Sequence, residues 1–363
     1  MSQSVKHNPA WTIALPLAGA AILVLSKLAP DLPGATLLLI AGLVGSVIAS
    51  VHHAEVIAHR VGEPFGTLVL ALAVTIIEVA LIVSMMLSGG EGTTGLARDT
   101  VFAAVMIILN GLIGMSLLVG GRRHREQEFK LEGINAALGT LSVIVVFTLI
   151  VPNYSTSAPG PVYTRSQLIF VAVATLALFA AFTFFQTVRH RDYFLPAEEG
   201  HDDPDEHASR PGNAETFASL GMLLVALTTV VFSAKAISPM MEAALHAAGA
   251  PPATVGILIA AIVLLPEGTA AVRAAASNRL QTSLNLAIGS AIASIGLTVP
   301  TVAIVALVLD WPLSLGLDMK STVLLVLSLF VTSISLRTGR TTALPGVVHL
   351  VMFAAYLFLS FVP

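Results

Sequence analysis

The sequence predicts an all-α integral membrane protein, on three observations: apolar runs of spanning length, scarce charge, and basic residues gathered in alternate connections. Hydrophobic residues make up 56% of the 363, charged residues 11%, and the mean hydropathy is +0.89. That is too little charge to solvate the surface of a soluble domain of this length. The apolar runs are long enough to cross a hydrocarbon core of about 30 Å. In lipid only a helix or a closed barrel satisfies its own backbone, and the alternating short strands of a barrel are missing from this pattern.

Eleven apolar segments, bounded by charge, proline and glycine, are expected to cross as helices. They run 11–29, 34–51, 65–88, 100–120, 134–151, 166–187, 216–237, 253–275, 282–309, 319–336 and 343–362. The first lacks a small-x-small exit and is read as a span rather than a cleaved signal. With the N-terminus in the cytoplasm, 13 of the 18 Lys and Arg fall in inside connections, including Arg60, Arg122, Arg123, Arg125, Lys130, Arg273 and Arg279. The outside loops keep Lys27, Arg98, Arg165, Lys235 and Lys320. The positive-inside rule therefore places the chain in an inner (plasma) membrane, N-terminus cytoplasmic and C-terminus periplasmic or extracellular.

One connection is polar enough to be a linker. Residues 189–215 carry Asp192, Glu198, Glu199, Asp202, Asp203, Asp205, Glu206 and Glu215, and are read as an acidic, solvated cytoplasmic tether. Its position divides the chain into an extra N-terminal helix (1–33), a first five-helix repeat (34–188), the linker, and a second five-helix repeat (216–363). An odd number of spans per repeat makes the two repeats run in opposite directions through the membrane, the inverted design of many secondary transporters.

The repeats match where charge is most expensive. The run Thr67 to Glu78 and the run Gly256 to Glu267 align without gaps, sharing Ala71/Ala260, Val74/Val263 and the acid itself. Each glutamate stands about a dozen residues into its span, about 18 Å along a helix and near mid-membrane. An acid there costs about 2.5–3.5 kcal/mol on insertion scales, so two at matched positions imply function. Glu78 and Glu267 are expected to approach each other from opposite sides. Carboxylates sharing a dry site repel and lose hydration, so they hold protons until a cation displaces them. Competition of this kind, with alternating access, is the minimum machinery of cation/proton antiport, and two carboxylates balance one divalent ion or two protons.

A Ca²⁺ ion wants about six to eight oxygen ligands, more than two carboxylates supply. Pro266 is expected to break the helix ladder and free the carbonyl near Ile262, with Gly268 adding flexibility. Thr75 offers a hydroxyl one turn before Glu78. Asn110, Ser290 and Ser294, in the third span of each repeat, are further candidates, beside Gly111 and Gly289. Small residues there serve helix packing equally well. At the cytoplasmic mouth, His59 and Glu63 are vestibule candidates, while His52 and His53 read as interfacial anchors. His349 reads as a packing residue, and Asp310 and Asp318 as solvated loop acids.

The run His59-Arg-Val-Gly-Glu-Pro-Phe-Gly-Thr67 followed by Thr75-Ile-Ile-Glu78 resembles bacterial calcium/proton antiporters of the ChaA type, in the calcium:cation antiporter superfamily. So do Leu265-Pro-Glu-Gly268, Asn285-Leu-Ala-Ile-Gly-Ser290 and Leu297-Thr-Val-Pro300, and the resemblance covers almost the whole chain. It implies eleven helices in two inverted repeats plus one, and cation binding at Glu78 and Glu267 in exchange for protons. The superfamily's Gly-Asn-Ala-x-Glu-like approach is replaced here by Thr75-Ile-Ile-Glu78 and Leu264-Leu-Pro-Glu267, so each acid lacks its usual asparagine neighbour. The expected cargo is Ca²⁺ against H⁺, with Na⁺ or K⁺ as the alternative, and no cofactor beyond the transported ions.

Other classes fit poorly. No cysteine is present and no nucleophile–base pair lies in the spans, which argues against an enzyme. No repeated filter sequence supports a passive channel. A net charge of −3 without a basic stripe argues against nucleic acid, leaving inorganic cations, protons and the lipid bilayer as partners.

Overall fold

The computed structural model describes residues 8–28, 34–62, 65–88, 93–195, 211–247, 249, 251 and 253–362. Eleven helical segments stand where the sequence places spans: α1 (Ala10–Leu28), α2 (Ala35–Val61), α3 (Phe65–Ser88), α4 (Leu96–His124), α5 (Leu131–Tyr154), α6 (Arg165–Arg189), α7 (Asn213–Ala247), α8 (Ala253–Ala276), α9 (Leu280–Leu309), α10 (Met319–Ser335) and α11 (Ala343–Phe361). Among the described residues, nine helices are long and apolar enough to cross a membrane, with shorter apolar stretches at Thr75–Met86 and Met319–Ser335. Two short strands, β1 (Gln127–Glu128) and β2 (Arg340–Thr341), pair antiparallel.

Local chemistry sets the helix ends. Thr164 opens α6 through a capping box, accepting from the Gln167 N–H while the Gln167 side chain accepts from the Thr164 N–H at 2.9 Å. Asp318 caps α10 by accepting from the Ser321 N–H at 2.6 Å, and Asp310 ends α9 in the left-handed region at φ 53°. Both aspartates are exposed, as expected of loop acids. Gly62 ends α2 at φ 76°, where a side chain would be strained. The helix runs ten residues past the expected 51 because the polar stretch from His52 to Arg60 continues it.

The chain divides into two compact units, neither of which is a sequence half. The first joins Met1–Ser88 with Glu198–Ala244, hence α1 to α3 and most of α7. Here α1 and α2 pack antiparallel through small residues, since a Cβ on Gly19 would stand 3.0 Å from the Gly42 carbonyl and 2.6 Å from Ser46 Oγ. His53, expected as an interfacial anchor, is instead fully buried and bonds the Thr12 carbonyl at 3.0 Å. A buried imidazole needs a partner, and the helix beside it supplies one. Its neighbour His52 lies against the Trp11 ring, with centroids 5.2 Å apart.

The second unit joins Gly89–Ala197 with Leu245–Pro363. Its core is α4 and α9, the most buried of the spanning helices. A Cβ on Gly346 of α11 would fall 2.4 Å from the Leu118 nitrogen, and one on Gly114 of α4 would fall 2.9 Å from His349 Cβ. These contacts let α11 run antiparallel and very close to α4. At one end of the unit β1 and β2 close the helix termini, and Gln127 Nε2 donates to the Ala275 carbonyl at 2.9 Å. The start of the acidic linker is held nearby, with Lys130 Nζ donating to the Asp192 carbonyl at 2.8 Å. Linker residues 196–210 lie outside the described residues.

Candidate functional site

In the first unit Glu78 sits on α3 as the one charged residue in that helix's sequence. It is 3% exposed, and Thr75, one turn earlier, is buried with it while Ile76 points outward. Two contacts set the level of Glu78 against α7. Ala73 packs with Ala54 of α2 and Leu223 of α7, and Ser84 Oγ donates to the Val231 carbonyl at 3.4 Å. The two helices therefore run parallel, and Glu78 lies between the levels of Leu223 and Val231.

In the second unit Glu267 lies half-buried on α8. That helix runs parallel to α4 at nearly constant register, fixed at three levels. A Cβ on Gly256 would stand 2.8 Å from the backbone of Asp99 and Thr100, and one on Gly268 would stand 2.7 Å from Leu112 Cδ2. A Cβ on Gly120 would stand 3.3 Å from the Ala275 carbonyl. This register puts Glu267 level with Gly111 and a residue away from Asn110.

At that level α4 departs from α-helical geometry. Residues Ile107–Leu112 form a π-helical turn, an insertion that disturbs the regular carbonyl ladder and recurs at functional sites. The sequence expectation that Pro266 breaks its helix is not met. The helix runs unbroken through Pro266 from Ala253 to Ala276. Without an N–H, Pro266 leaves only its own ladder bond to Ile262 unmade, and the irregular backbone belongs to the neighbouring α4 instead.

Asn110, within this turn, is fully buried, and its Nδ2 donates to Ser328 Oγ of α10 at 2.8 Å. Its Oδ1 has no hydrogen-bond partner among the described residues. An orphaned carboxamide oxygen deep in a helical core is costly unless a ligand uses it. On α9, which packs on both α4 and α8, Ser294 is buried and Ser290 half-buried. Among the described residues no three His, Cys, Asp or Glu side chains cluster in a way that could hold a metal.

The remaining candidates separate. His59 is exposed in the last turn of α2, beside Arg60, which donates to the Pro211 carbonyl at 3.2 Å. Glu63 lies outside the described residues. His349 is buried with its Nε2 3.2 Å from Ser335 Oγ, in keeping with a packing role. Sequence reasoning missed Ser328 and the π-turn, and it missed Asp99, which pairs with Arg98 at 2.7 Å in the first turn of α4. Adjacent opposite charges at a span's end were the only signal of that pair.

Helices long and apolar enough to cross a membrane, one buried and one half-buried glutamate on them, and a carboxamide with an open oxygen point to a multi-pass membrane ion transporter. The chain belongs to the sodium/calcium exchanger protein family, matching it over residues 32–188 and 218–362, and thereby to the calcium:cation antiporter superfamily. It is 47% identical to y4hA of Sinorhizobium fredii, over 98% of this chain and 97% of that one. It is 36% identical to the sodium-potassium/proton antiporter ChaA of Escherichia coli, covering 93% of this chain and 91% of the other. Its fold is that of the selenium-substituted Ca²⁺/H⁺ antiporter protein YfkE, with a TM-score of 0.73 at 17% identity, covering 97% of this chain and 99% of that one.

Proposed function

We propose that the chain is a secondary active cation/proton antiporter in which cation and protons compete for Glu78 and Glu267. The observation that carries this is the family match in two separate segments, each holding one deep glutamate. Two matches also support the reading of two inverted five-helix repeats after an extra first helix. The asymmetry of Lys and Arg supports insertion in an inner membrane with the N-terminus cytoplasmic and the C-terminus outside. Thr75 beside Glu78 in the first unit, and Asn110, Ser290 and Ser294 in the second, are the further oxygen donors of this reading. His59 and Glu63 serve as vestibule groups on the cytoplasmic side.

For cargo, two carboxylates balance one Ca²⁺ without residual charge, which favours Ca²⁺/H⁺ exchange. The kinship with a sodium-potassium/proton antiporter at 36% identity favours Na⁺(K⁺)/H⁺ exchange as the second reading. Everted vesicles with an imposed proton gradient separate the two. A pH dye should dequench on addition of Ca²⁺, or on addition of Na⁺ or K⁺, and the responding ion names the cargo. Glu78→Gln and Glu267→Gln should each abolish the response, a loss of more than about a hundredfold, while the protein still inserts. Full activity in either variant overturns that residue's assignment, and dequenching by none of the three ions overturns antiport.

A further inference from the structure

Ser328 is a buried hydroxyl in mid-helix on α10, and its hydrogen bonds give it a part in the site. Its Oγ donates to the Leu324 carbonyl at 2.7 Å, and the Met106 thioether lies 3.5 Å away as a weaker acceptor. A serine has one proton to give and two lone pairs to offer. With that proton committed to Leu324 or Met106, Ser328 can only accept from Asn110. The group of Asn110 that faces Ser328 must therefore be the NH₂, which sits 2.8 Å away, with Met106 Sδ a second contact at 3.8 Å. The 2.7 Å approach to the Leu324 carbonyl, which holds the serine proton, thus assigns the carboxamide's orientation. The Oδ1 then points away from Ser328, fully buried and without a hydrogen-bond partner among the described residues.

We infer that Ser328 is a positioning residue for cation binding: it holds Asn110 so that its carboxamide oxygen, not its NH₂, is offered to the ion. A rotated carboxamide would present two N–H donors to a cation, converting a ligand into a repulsive group. Ser328 itself touches no ion. The inference rests on the reading of Asn110 as a ligand, and adds that α10, which carries neither glutamate, sets the quality of the site.

The test uses the full-length protein in proteoliposomes, measuring the KM for Ca²⁺, Na⁺ and K⁺ and the Vmax separately. Ser328→Ala and the near-isosteric Ser328→Cys, whose sulfur is a poor acceptor, should raise the KM for the transported ion about five- to tenfold, with Vmax within about twofold. Ser328→Thr, which keeps the hydroxyl and its back-bond to Leu324, should restore the KM. Asn110→Ala should raise the KM at least as much as Ser328→Ala. If Asn110→Ala raises KM while Ser328→Ala and Ser328→Cys leave it unchanged, positioning by Ser328 is wrong and the ligand reading survives. If Asn110→Ala leaves KM unchanged, the ligand reading falls, and the inference with it. A KM that stays high in Ser328→Thr assigns Ser328 to packing. Should the alanine variant fail to insert, the cysteine variant decides.

Discussion

The two glutamates occupy aligned positions in the sequence yet stand in different surroundings. Glu78 is enclosed, 3% exposed on a helix with a threonine one turn back, whereas Glu267 is half-buried, follows a proline and lies level with a π-helical turn. Repetition thus fixes where the acid falls along a span, while the neighbouring helices decide what it meets there. The proposed chemistry would thus draw on unlike parts: a hydroxyl one turn from one acid, and a carboxamide at nearly the same helical level as the other.

Shortening each carboxylate tests that contrast most sharply. Glu78→Asp retracts the group by one methylene inside a closed environment, where nothing can move to follow it. Transport should fall about tenfold further for Glu78→Asp than for Glu267→Asp, or ~1.4 kcal/mol in the barrier. Equal losses in a proteoliposome flux assay would show that the two environments are functionally alike. Next in size is the packing around α4. Gly346→Ala drives a methyl into the backbone of Leu118, whereas Gly139→Ala on α5 meets nothing within 4 Å. The first should destabilise by about 1–3 kcal/mol, read as a lower melting temperature in detergent, and the second should be neutral. A neutral Gly346→Ala would mean that α11 is free to shift. The smallest effect is expected at Pro266→Ala, because α8 is unbroken. The cation KM should change less than about threefold, and a tenfold change would return the Ile262 carbonyl to the site.

Much of this was legible in the sequence. The spans expected at 65–88 and 253–275 are observed as Phe65–Ser88 and Ala253–Ala276, because charge, proline and glycine bound them on both sides. The expected end of α2 was wrong for a physical reason: polarity marks where hydrocarbon stops, not where a helix does. The burial of Glu78 was visible because a carboxylate inside an apolar run is too costly to be kept for packing alone. Ser328 was not, since its partner lies 218 residues away and serines are common in membrane helices as packing residues. A π-turn has no compositional signature, so Asn110 could be named a candidate but not assigned an orientation.

The parallel register of α4 and α8 bears on motion. At Gly256, Gly268 and Gly120 the absence of a side chain lets the two helices approach closely along most of their length. A slide of either helix by one residue, about 1.5 Å, would take all three close approaches out of register. Asn110 and Glu267, carried at neighbouring levels of this closely packed pair, are therefore expected to move together when the transporter opens to one side or the other.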